Sequence, residues 1–200
     1  MKHLLHTMIA LGGLAFLSGC ASNQIGSSTG GYKVTAYAPR NPAAVRVKVS
    51  TSTQNVYVME GDRMLMAVQG CVGASGATGS GHYSIIEKIK DKRRVSEPDA
   101  GYPMAYWCSW KPAYGFHEGF VHPNPRTHGC IRLHREAAAR FYALVRIGTP
   151  VDIAASQPED ATHGRSVRKL DQSRDPDPPR QVMMSSSWFK DPAGPLLINQ

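Results

Sequence analysis

Residues 115–133 read Gly115-Phe116-His117-Glu118-Gly119-Phe120-Val121-His122-Pro123-Asn124-Pro125-Arg126-Thr127-His128-Gly129-Cys130-Ile131-Arg132-Leu133. Because Pro123 and Pro125 interrupt the segment, it cannot form one helix, and we expect His117 and Cys130 to lie on separate elements joined by a loop. Such a loop can fold back and bring the imidazole to the sulfur. A nearby imidazole is a common way to generate the reactive thiolate near neutral pH. The stretch therefore predicts a cysteine nucleophile, Cys130, with His117 as its base and a thiolate–imidazolium pair between them.

The segments around this stretch predict a mostly β domain with one or two helices. Alternation of apolar and polar residues with period two indicates strands over residues 45–49 and 55–58. Residues 60–63 have the composition of a hairpin turn, and residues 64–72 are expected to form the returning strand. Residues 134–147 carry their apolar side chains on one face, which predicts a helix that Gly148 ends. Residues 151–153 are a plausible closing strand.

The motif from Thr127 to Leu133, preceded by Gly115-Phe116-His117, resembles the signature of the L,D-transpeptidase (YkuD-like) domain family. In that family a histidine is followed by a run of Ser/Thr, His, Gly, Cys, a hydrophobic residue and Arg. The wider resemblance runs from about residue 45 to residue 153. It includes Thr78-Gly79-Ser80-Gly81-His82-Tyr83-Ser84-Ile85, where Gly79 stands in place of the usual proline. Loss of that proline loosens the loop and removes no reactive group.

This resemblance implies a β-sandwich-type catalytic domain over residues 45–154 that acts on the peptide stems of peptidoglycan. Cys130 would attack the bond between a diamino acid and a terminal D-alanine, and an amine of a second stem would then attack the thioester. His117 would donate and accept the protons, held by a backbone carbonyl that the sequence does not locate. The resemblance implies no cofactor and no metal.

Four further residues of the motif are expected to bind substrate or to help stabilise the oxyanion: Thr127, His128, Gly129 and Arg132. Gly129 lets its own N–H and that of Cys130 approach the acyl oxygen closely. Arg132 lies two residues past the sulfur and would point to the same face of a strand, where it fits a substrate carboxylate. His128 belongs to the motif, but a structural role suits it equally well.

The N-terminus predicts a lipoprotein signal peptide over residues 1–20. A short apolar run precedes Leu17-Ser18-Gly19-Cys20, which resembles a bacterial lipobox and implies an acylated Cys20. Alanine rather than aspartate follows Cys20, and by resemblance to Gram-negative lipoproteins this favours a periplasm-facing lipoprotein of the outer membrane. Residues 21–44 begin with a run rich in Ser, Gly and Asn and are expected to form a flexible tether.

Charge and composition complete the description of the chain. The net charge of +8 favours anionic partners, but no aromatic-interleaved basic motif indicates nucleic acid. Residues 88–94, the basic segment, hold five Lys or Arg and are interpreted as a solvated hairpin tip in preference to a contact for wall polymer. Residues 155–200 are rich in proline and are expected to be disordered or loosely docked.

Several alternatives stay open at the level of sequence. Water in place of the acceptor amine would make the protein an L,D-carboxypeptidase, and a protein that keeps the fold without catalysis would be a wall-binding lipoprotein. The histidines around Cys130 follow no common zinc spacing, so a thiol site is favoured over a metal site. His122 and His134 are expected at the surface. Cys71 and Cys108 could form a disulfide or stay as two buried thiols.

Overall fold

A computed structural model of the protein describes residues 31–200. Within this range the chain forms nine strands and two α-helices: β1 (Val45–Ser50), β2 (Asn55–Glu60), β3 (Arg63–Cys71), β4 (Gly81–Ser84), β5 (Glu87–Ile89), β6 (Trp107–Lys111), β7 (Tyr114–Glu118), β8 (Ile131–Leu133), α1 (Arg135–Leu144), β9 (Pro150–Ala154) and α2 (Arg180–Met184). The prediction of a mostly β fold with one or two helices is confirmed. The predicted signal peptide, the lipobox and residues 21–30 of the tether lie outside the described residues.

The nine strands form one mixed sheet in the order β4-β9-β1-β2-β3-β8-β7-β6-β5. The pairs β1–β9 and β7–β8 are parallel, and the other neighbouring pairs are antiparallel. The sheet curls, so that β4 near one end contacts β6 near the other. This curl lets one sheet enclose a core on its inner face.

Local sequence explains the first hairpin and the first helix. β1 and β2 pair antiparallel, and β3 returns from the turn at Gly61, whose positive φ of 59° suits glycine. The predicted helix is α1, which begins where the His134 ring accepts a hydrogen bond from the Glu136 N–H at 3.2 Å. His134 is therefore a helix cap rather than the surface residue expected from sequence.

The core lies between α1 and the sheet. Phe116 on β7 and Phe141 on α1 are fully buried, with ring centroids 4.4 Å apart. Two aromatic rings at this distance gain contact energy beyond the area they bury. Because Phe116 immediately precedes His117, the same packing that holds α1 on the sheet also fixes the strand that carries the candidate base.

Two parts of the basic segment do not match the predicted solvated tip. Lys88 donates hydrogen bonds to the carbonyl oxygens of Tyr142 and Val145, at 2.8 and 2.6 Å, where α1 ends. A cation at that position satisfies carbonyls that have no partner within the helix and complements the helix dipole. Arg93 donates to the carbonyls of Met183 and Met184, both at 3.1 Å. These two side chains hold structure together instead of facing solvent alone.

Residues 155–200, the C-terminal extension, do not form the disordered tail that their composition predicts. Leu170 is buried at 5% exposure, and its N–H donates to the Gln69 side chain. The Gln172 N–H donates to the Val121 carbonyl, and the Val121 N–H donates back to the Gln172 side chain, both at 3.0 Å. The prolines leave only α2 and short 3-10 turns as regular structure, but they do not prevent docking, because partners elsewhere in the chain satisfy the backbone.

The described part of the predicted tether is also ordered. Tyr32 and Ala36 are buried, and the Tyr37 N–H donates to the Leu65 carbonyl at 3.0 Å. The Ile198 N–H donates to the Ala36 carbonyl at 2.9 Å, so residues near both ends of the described chain meet beside β3. No helix within residues 31–200 is long and apolar enough to cross a membrane.

We expect Arg135→Met to loosen the C-terminal extension. Arg135 pairs with the largely buried Glu118 at 2.9 Å and donates to the carbonyls of Trp188 and Lys190, both at 2.5 Å. Its loss should lower the free energy of unfolding by about 2 kcal/mol, because the Glu118 charge keeps its burial and loses its partner. Hydrogen exchange of residues 186–191 should rise in parallel. Arg146→Met, at an exposed position just after α1, is the control and should change neither quantity; unchanged exchange in the Arg135 variant would contradict this role.

Candidate active site

A single cavity of about 870 Å³ contains both Cys130 and His117. Thr127, His128 and Arg132 of the predicted motif also line it. The other walls come from the basic segment, from residues 95–104 and from the β6–β7 hairpin, with side chains that include Lys92, Arg93, Arg94, Asp99, Tyr102 and Trp107. His117 and Cys130, which a proline-containing loop separates in the sequence, therefore line the same cavity.

The meeting depends on the parallel pairing of β7 with β8. Phe116 lies opposite Ile131 and His117 opposite Arg132, which places Cys130 at the entrance of β8 beside Gly115. The loop between the strands is held at the end of β3, where the Thr127 N–H donates to the Val72 carbonyl and the Ala74 N–H donates to the Thr127 carbonyl. The prediction that His117 and Cys130 lie on separate elements is confirmed.

The His117 ring is fixed by the backbone. Its Nδ1 lies 2.6 Å from the carbonyl oxygen of Glu118, and since a carbonyl can only accept, Nδ1 carries the proton. This leaves Nε2 as the nitrogen that can exchange a proton. Burial is the main cause that lowers the pKa of His117 to about 4; the Glu118 hydrogen bond opposes this shift, and the nearby Arg132 adds to it. The imidazole is therefore neutral at pH 7.

The Cys130 thiol is half-buried and protonated. Burial raises its pKa above the ordinary value, although a hydrogen bond from the Gly115 backbone and the charges of Arg132 and Arg94 act in the opposite direction. Its Sγ lies 3.6 Å from the Ala113 carbonyl, which can accept the S–H. The resting pair is thus a neutral thiol with a neutral imidazole. This differs from the thiolate–imidazolium pair expected from sequence, because burial penalises both charges.

Gly129 and Thr127 shape the turn before the nucleophile. Gly129 has φ of +129°, and a Cβ there would lie 2.1 Å from Cε1 of Tyr114, so only glycine fits. The buried Thr127 hydroxyl donates to the Cys130 carbonyl at 2.5 Å and accepts from the Gly129 N–H at 3.1 Å. The Gly129 N–H is therefore already engaged, and of the two proposed oxyanion donors the Cys130 N–H remains.

A second threonine supports this turn from the other side. The Thr78 hydroxyl donates to the Gly129 carbonyl at 3.0 Å and accepts from the Gly73 N–H at 2.7 Å. Gly73 lies so near that a Cβ there would stand 2.9 Å from the Gly129 Cα. The glycine-rich segment around Thr78 therefore packs directly against the turn that precedes Cys130.

Arg132 and His128 both line the cavity, but contacts with neighbouring residues constrain their side chains to different degrees. The Arg132 stem packs on Gly119, where a Cβ would lie 3.0 Å from the Arg132 Cδ. Within residues 31–200 its guanidinium has no hydrogen-bond or ion-pair partner. The unpaired cation at the cavity wall suits a carboxylate ligand. His128 is exposed, and no hydrogen bond fixes its ring among the described residues.

The family model described as the L,D-transpeptidase catalytic domain, YkuD, matches residues 44–153, more than half of the chain. The chain belongs to this family. His117 and Cys130, which share the cavity, both lie within the matched residues. The matched region ends at β9, so the C-terminal extension lies beyond it.

Solved structures share the fold of this L,D-transpeptidase domain. An L,D-transpeptidase from Stackebrandtia nassauensis is 20% identical with a TM-score of 0.50, and the match covers 62% of this chain and 60% of that one. An L,D-transpeptidase from Xylanimonas cellulosilytica is 19% identical with a TM-score of 0.50, covering 58% and 63%. The chain thus spans less than two thirds of these relatives. A comparison with curated proteins gave no match.

The remaining candidate residues lie outside the cavity. His122 is buried, contrary to the surface position expected from sequence, and burial lowers its pKa. No group of three or more His, Cys, Asp or Glu side chains within residues 31–200 could hold a metal ion. Cys71 and Cys108 are both buried and free, so of the two alternatives the structure has unpaired thiols.

Sequence did not identify several residues of the site. The Glu118 carbonyl orients the His117 ring, but every residue has a backbone carbonyl, so residue types do not identify this one. Trp107 lies with its ring centroid 6.0 Å from that of His117 and forms part of the dry wall that keeps the imidazole neutral. The aromatic content of residues 102–110 was the available signal in the sequence.

We expect the Cys130 thiolate to be absent at neutral pH. The ultraviolet absorbance of the wild-type protein minus that of Cys130→Ser isolates Cys130, because Cys71 and Cys108 are common to both proteins. The thiolate signal should appear at a higher pH than that of an ordinary cysteine, because burial raises the pKa of the Cys130 thiol. A thiolate signal already complete at pH 7 would instead indicate a stable ion pair with His117.

Proposed function

We propose that the protein is an L,D-transpeptidase that transfers acyl groups between peptide stems of peptidoglycan through a thioester on Cys130. The observation that carries this proposal is the cavity in which the family's cysteine and histidine meet, with His117 fixed through Nδ1 by the Glu118 carbonyl. A nucleophile, an oriented base and an opening for substrate are the minimum that acyl transfer requires.

In the first step Cys130 attacks the carbonyl of the residue before the terminal D-alanine of a donor stem. The S–H proton moves to Nε2 of His117 as the C–S bond forms, which gives a tetrahedral intermediate. The C–N bond then breaks, and the D-alanine amine leaves with the proton from His117. Because the resting pair is neutral, charge develops only along this path, and a site whose donors are fixed in advance stabilises it best.

In the second step an amine of an acceptor stem attacks the thioester carbonyl. The amine gives a proton to Nε2 of His117, the new C–N bond forms and the C–S bond breaks. The sulfur recovers the proton from His117, so the free thiol is restored. The neutral imidazole suits this step, because a protonated base could not accept the proton of the amine.

The surrounding groups match a polar peptide substrate. The Cys130 N–H is the candidate donor to the oxyanion, and Thr127 keeps the turn that presents it. Arg132 offers an unpaired guanidinium for a free carboxylate of the stem. The Thr127 hydrogen bonds hold the turn that carries the Cys130 N–H before any substrate binds.

Two other functions share this site. With water as acceptor the protein would be an L,D-carboxypeptidase, and the ratio of cross-linked to hydrolysed product from a donor and an acceptor stem separates the two activities. A wall-binding lipoprotein without catalysis would bind stems but form no thioester. A carbapenem that acylates Cys130 distinguishes an enzyme from such a binder.

We expect Cys130→Ala to abolish both product and acyl-enzyme, because no other thiol reaches the cavity within the described residues. His117→Ala should leave the fold intact and slow acylation by about 10²–10⁴-fold, the usual effect of losing a general acid–base group. Intact-mass measurement with a carbapenem and with a donor tetrapeptide gives both rates. His134→Asn is the control histidine variant, because asparagine also caps a helix, and it should retain wild-type rates. Product formation by folded Cys130→Ala would refute the proposal.

We also propose that Cys20 carries a lipid anchor and that the domain works at the periplasmic face of the outer membrane. The support is the lipobox-like sequence Leu17-Ser18-Gly19-Cys20 after a short apolar run. Acyl chains on one cysteine bury enough methylene groups to hold a soluble domain at a bilayer. The net positive charge would add attraction to anionic lipid.

Cys20→Ser should move the protein from the membrane pellet to the soluble fraction. The purified variant should keep its rate on soluble stems, because Cys20 precedes the domain that holds the site. Cell fractionation followed by a high-salt wash measures the first effect, and intact-mass measurement with a donor tetrapeptide measures the second. If the variant still pellets after the wash, the lipid is not the anchor.

A further inference from the structure

The carbonyl that orients the His117 ring belongs to Glu118, whose own side chain lies on the other side of β7. His117 lines the cavity that contains Cys130, whereas the Glu118 side chain lines a second, smaller cavity of about 160 Å³. This follows from the strand, because neighbouring residues on a strand point to opposite faces. The Glu118 carboxylate therefore does not line the substrate cavity, and it acts on the site through the position of its backbone.

The peptide group between Glu118 and Gly119 stands at the end of β7. Its carbonyl accepts the hydrogen bond from Nδ1 of His117 at 2.6 Å, and its N–H donates to the Leu133 carbonyl at 3.0 Å. The β7–β8 ladder ends with the pair formed by Glu118 and Leu133. Strand ends open more readily than strand centres. The direction of the carbonyl therefore depends on what else holds residue 118.

Arg135 holds the Glu118 side chain. Its Nη1 donates to both carboxylate oxygens, at 2.9 and 3.1 Å. Arg135 begins α1 only two residues after Leu133, so the ion pair spans the end of the two parallel strands. Glu118 is 8% exposed, and a charge-assisted hydrogen bond shielded from water is both stronger and geometrically more specific than one at the surface. The pair thus restrains the residue whose carbonyl orients His117.

The C-terminal extension in turn holds Arg135. Its Nη2 donates to the carbonyls of Trp188 and Lys190, both at 2.5 Å, and the Trp188 ring centroid lies 5.7 Å from the guanidinium carbon. The Lys190 carbonyl also accepts from the Tyr106 hydroxyl at 3.1 Å, so this partner is fixed to the sheet side as well. These contacts come from residues beyond the family match at residues 44–153. A continuous set of contacts therefore runs from the extension to the imidazole.

We propose that Glu118 and Arg135 are positioning residues that fix the His117 ring for proton transfer. The C-terminal extension holds Arg135 in place and is therefore part of the catalytic unit. Neither positioning side chain takes part in the bond-making or bond-breaking steps. The kinetic consequence of this inference rests on the proposed function, whereas the orientation of the ring can be measured without any reaction.

The first test measures the His117 tautomer by nitrogen NMR of protein that carries isotope-labelled histidine. The protonated and unprotonated ring nitrogens give separate signals, and comparison with His117→Ala assigns those of His117. We expect the Nδ1–H tautomer in the wild-type protein, because the carbonyl can only accept. Glu118→Met and Arg135→Met each break the ion pair at similar side-chain length, and each should give a mixture of the two tautomers.

The second test measures acylation by a donor tetrapeptide. Both single variants should lower kcat by about 10–10²-fold, since a small displacement of a catalytic group has effects of this size. KM should stay within about twofold of the wild-type value, because neither Glu118 nor Arg135 lines the substrate cavity. A role in stability alone would leave both kcat and the tautomer of the folded variants unchanged.

The combined variant Glu118→Met/Arg135→Met separates positioning from stability. Two apolar side chains in place of a buried ion pair are often neutral for stability, so its denaturant midpoint should return towards that of the wild-type protein. Apolar contact is not directional, so the mixed tautomers and the low kcat should remain. A combined variant that recovers the Nδ1–H tautomer and the wild-type kcat would overturn the proposal.

Arg140→Met is the matched control. Arg140 lies on the same helix and pairs with Glu136 at 2.6 Å, so the control breaks an ion pair of α1 that does not involve β7. It should keep the Nδ1–H tautomer and the wild-type kcat, and tautomer mixing in this variant equal to that in Arg135→Met would contradict a specific role of Arg135. If the wild-type protein forms no thioester with any donor or carbapenem, the proposed function fails, while the tautomers still decide whether Glu118 and Arg135 orient His117.

Discussion

The parallel pairing of β7 with β8 is the constraint on which the site depends. Parallel neighbours need a crossover connection, and here only the twelve residues between Glu118 and Ile131 provide it. So short a connection cannot take an arbitrary path. Two hydrogen bonds hold it at the end of β3: the Thr127 N–H donates to the Val72 carbonyl, and the Thr127 carbonyl accepts from the Ala74 N–H. The register that results puts the nucleophile one position from the strand partner of the base. Placement of Cys130 therefore follows from backbone pairing before any side chain acts.

Burial then decides the electrostatics of the pair. Trp107, whose ring centroid lies 6.0 Å from that of His117, helps to exclude water from the buried imidazole, which disfavours its charged form. The same exclusion disfavours a thiolate at Cys130. A neutral pair has less intrinsic nucleophilicity than an ion pair, but it keeps the imidazole able to accept a proton in both half-reactions. The fixed Nδ1–H and the turn held by Thr127 compensate by arranging the site before substrate arrives.

The sequence correctly predicted the features that depend on local residue patterns. It did not predict those that depend on contacts between residues distant in the chain. The period-two alternation gave β1 and β2 correctly, and the apolar face with Gly148 gave α1 to within a few residues. The motif placed Cys130 and His117 together. The carbonyl that orients His117 and the engagement of the Gly129 N–H are backbone contacts, which residue types do not reveal. The predicted thiolate–imidazolium pair was wrong, because the protonation of the two side chains depends on burial by residues far along the chain.

The C-terminal extension illustrates the same limit on a larger scale. Its prolines and balanced charges resemble a disordered tail, and that reasoning considers only what the segment can bury by itself. The partners lie elsewhere: Arg93 in the basic segment and Arg135 on α1 donate to its carbonyls. The two adjacent arginines have different partners. Arg93 donates to carbonyls of the extension, whereas Arg94 pairs with Asp99 at the cavity wall. Charges that a sequence assigns to the surface thus connect the extension to the site, and the structural unit continues past the end of the family match at residue 153.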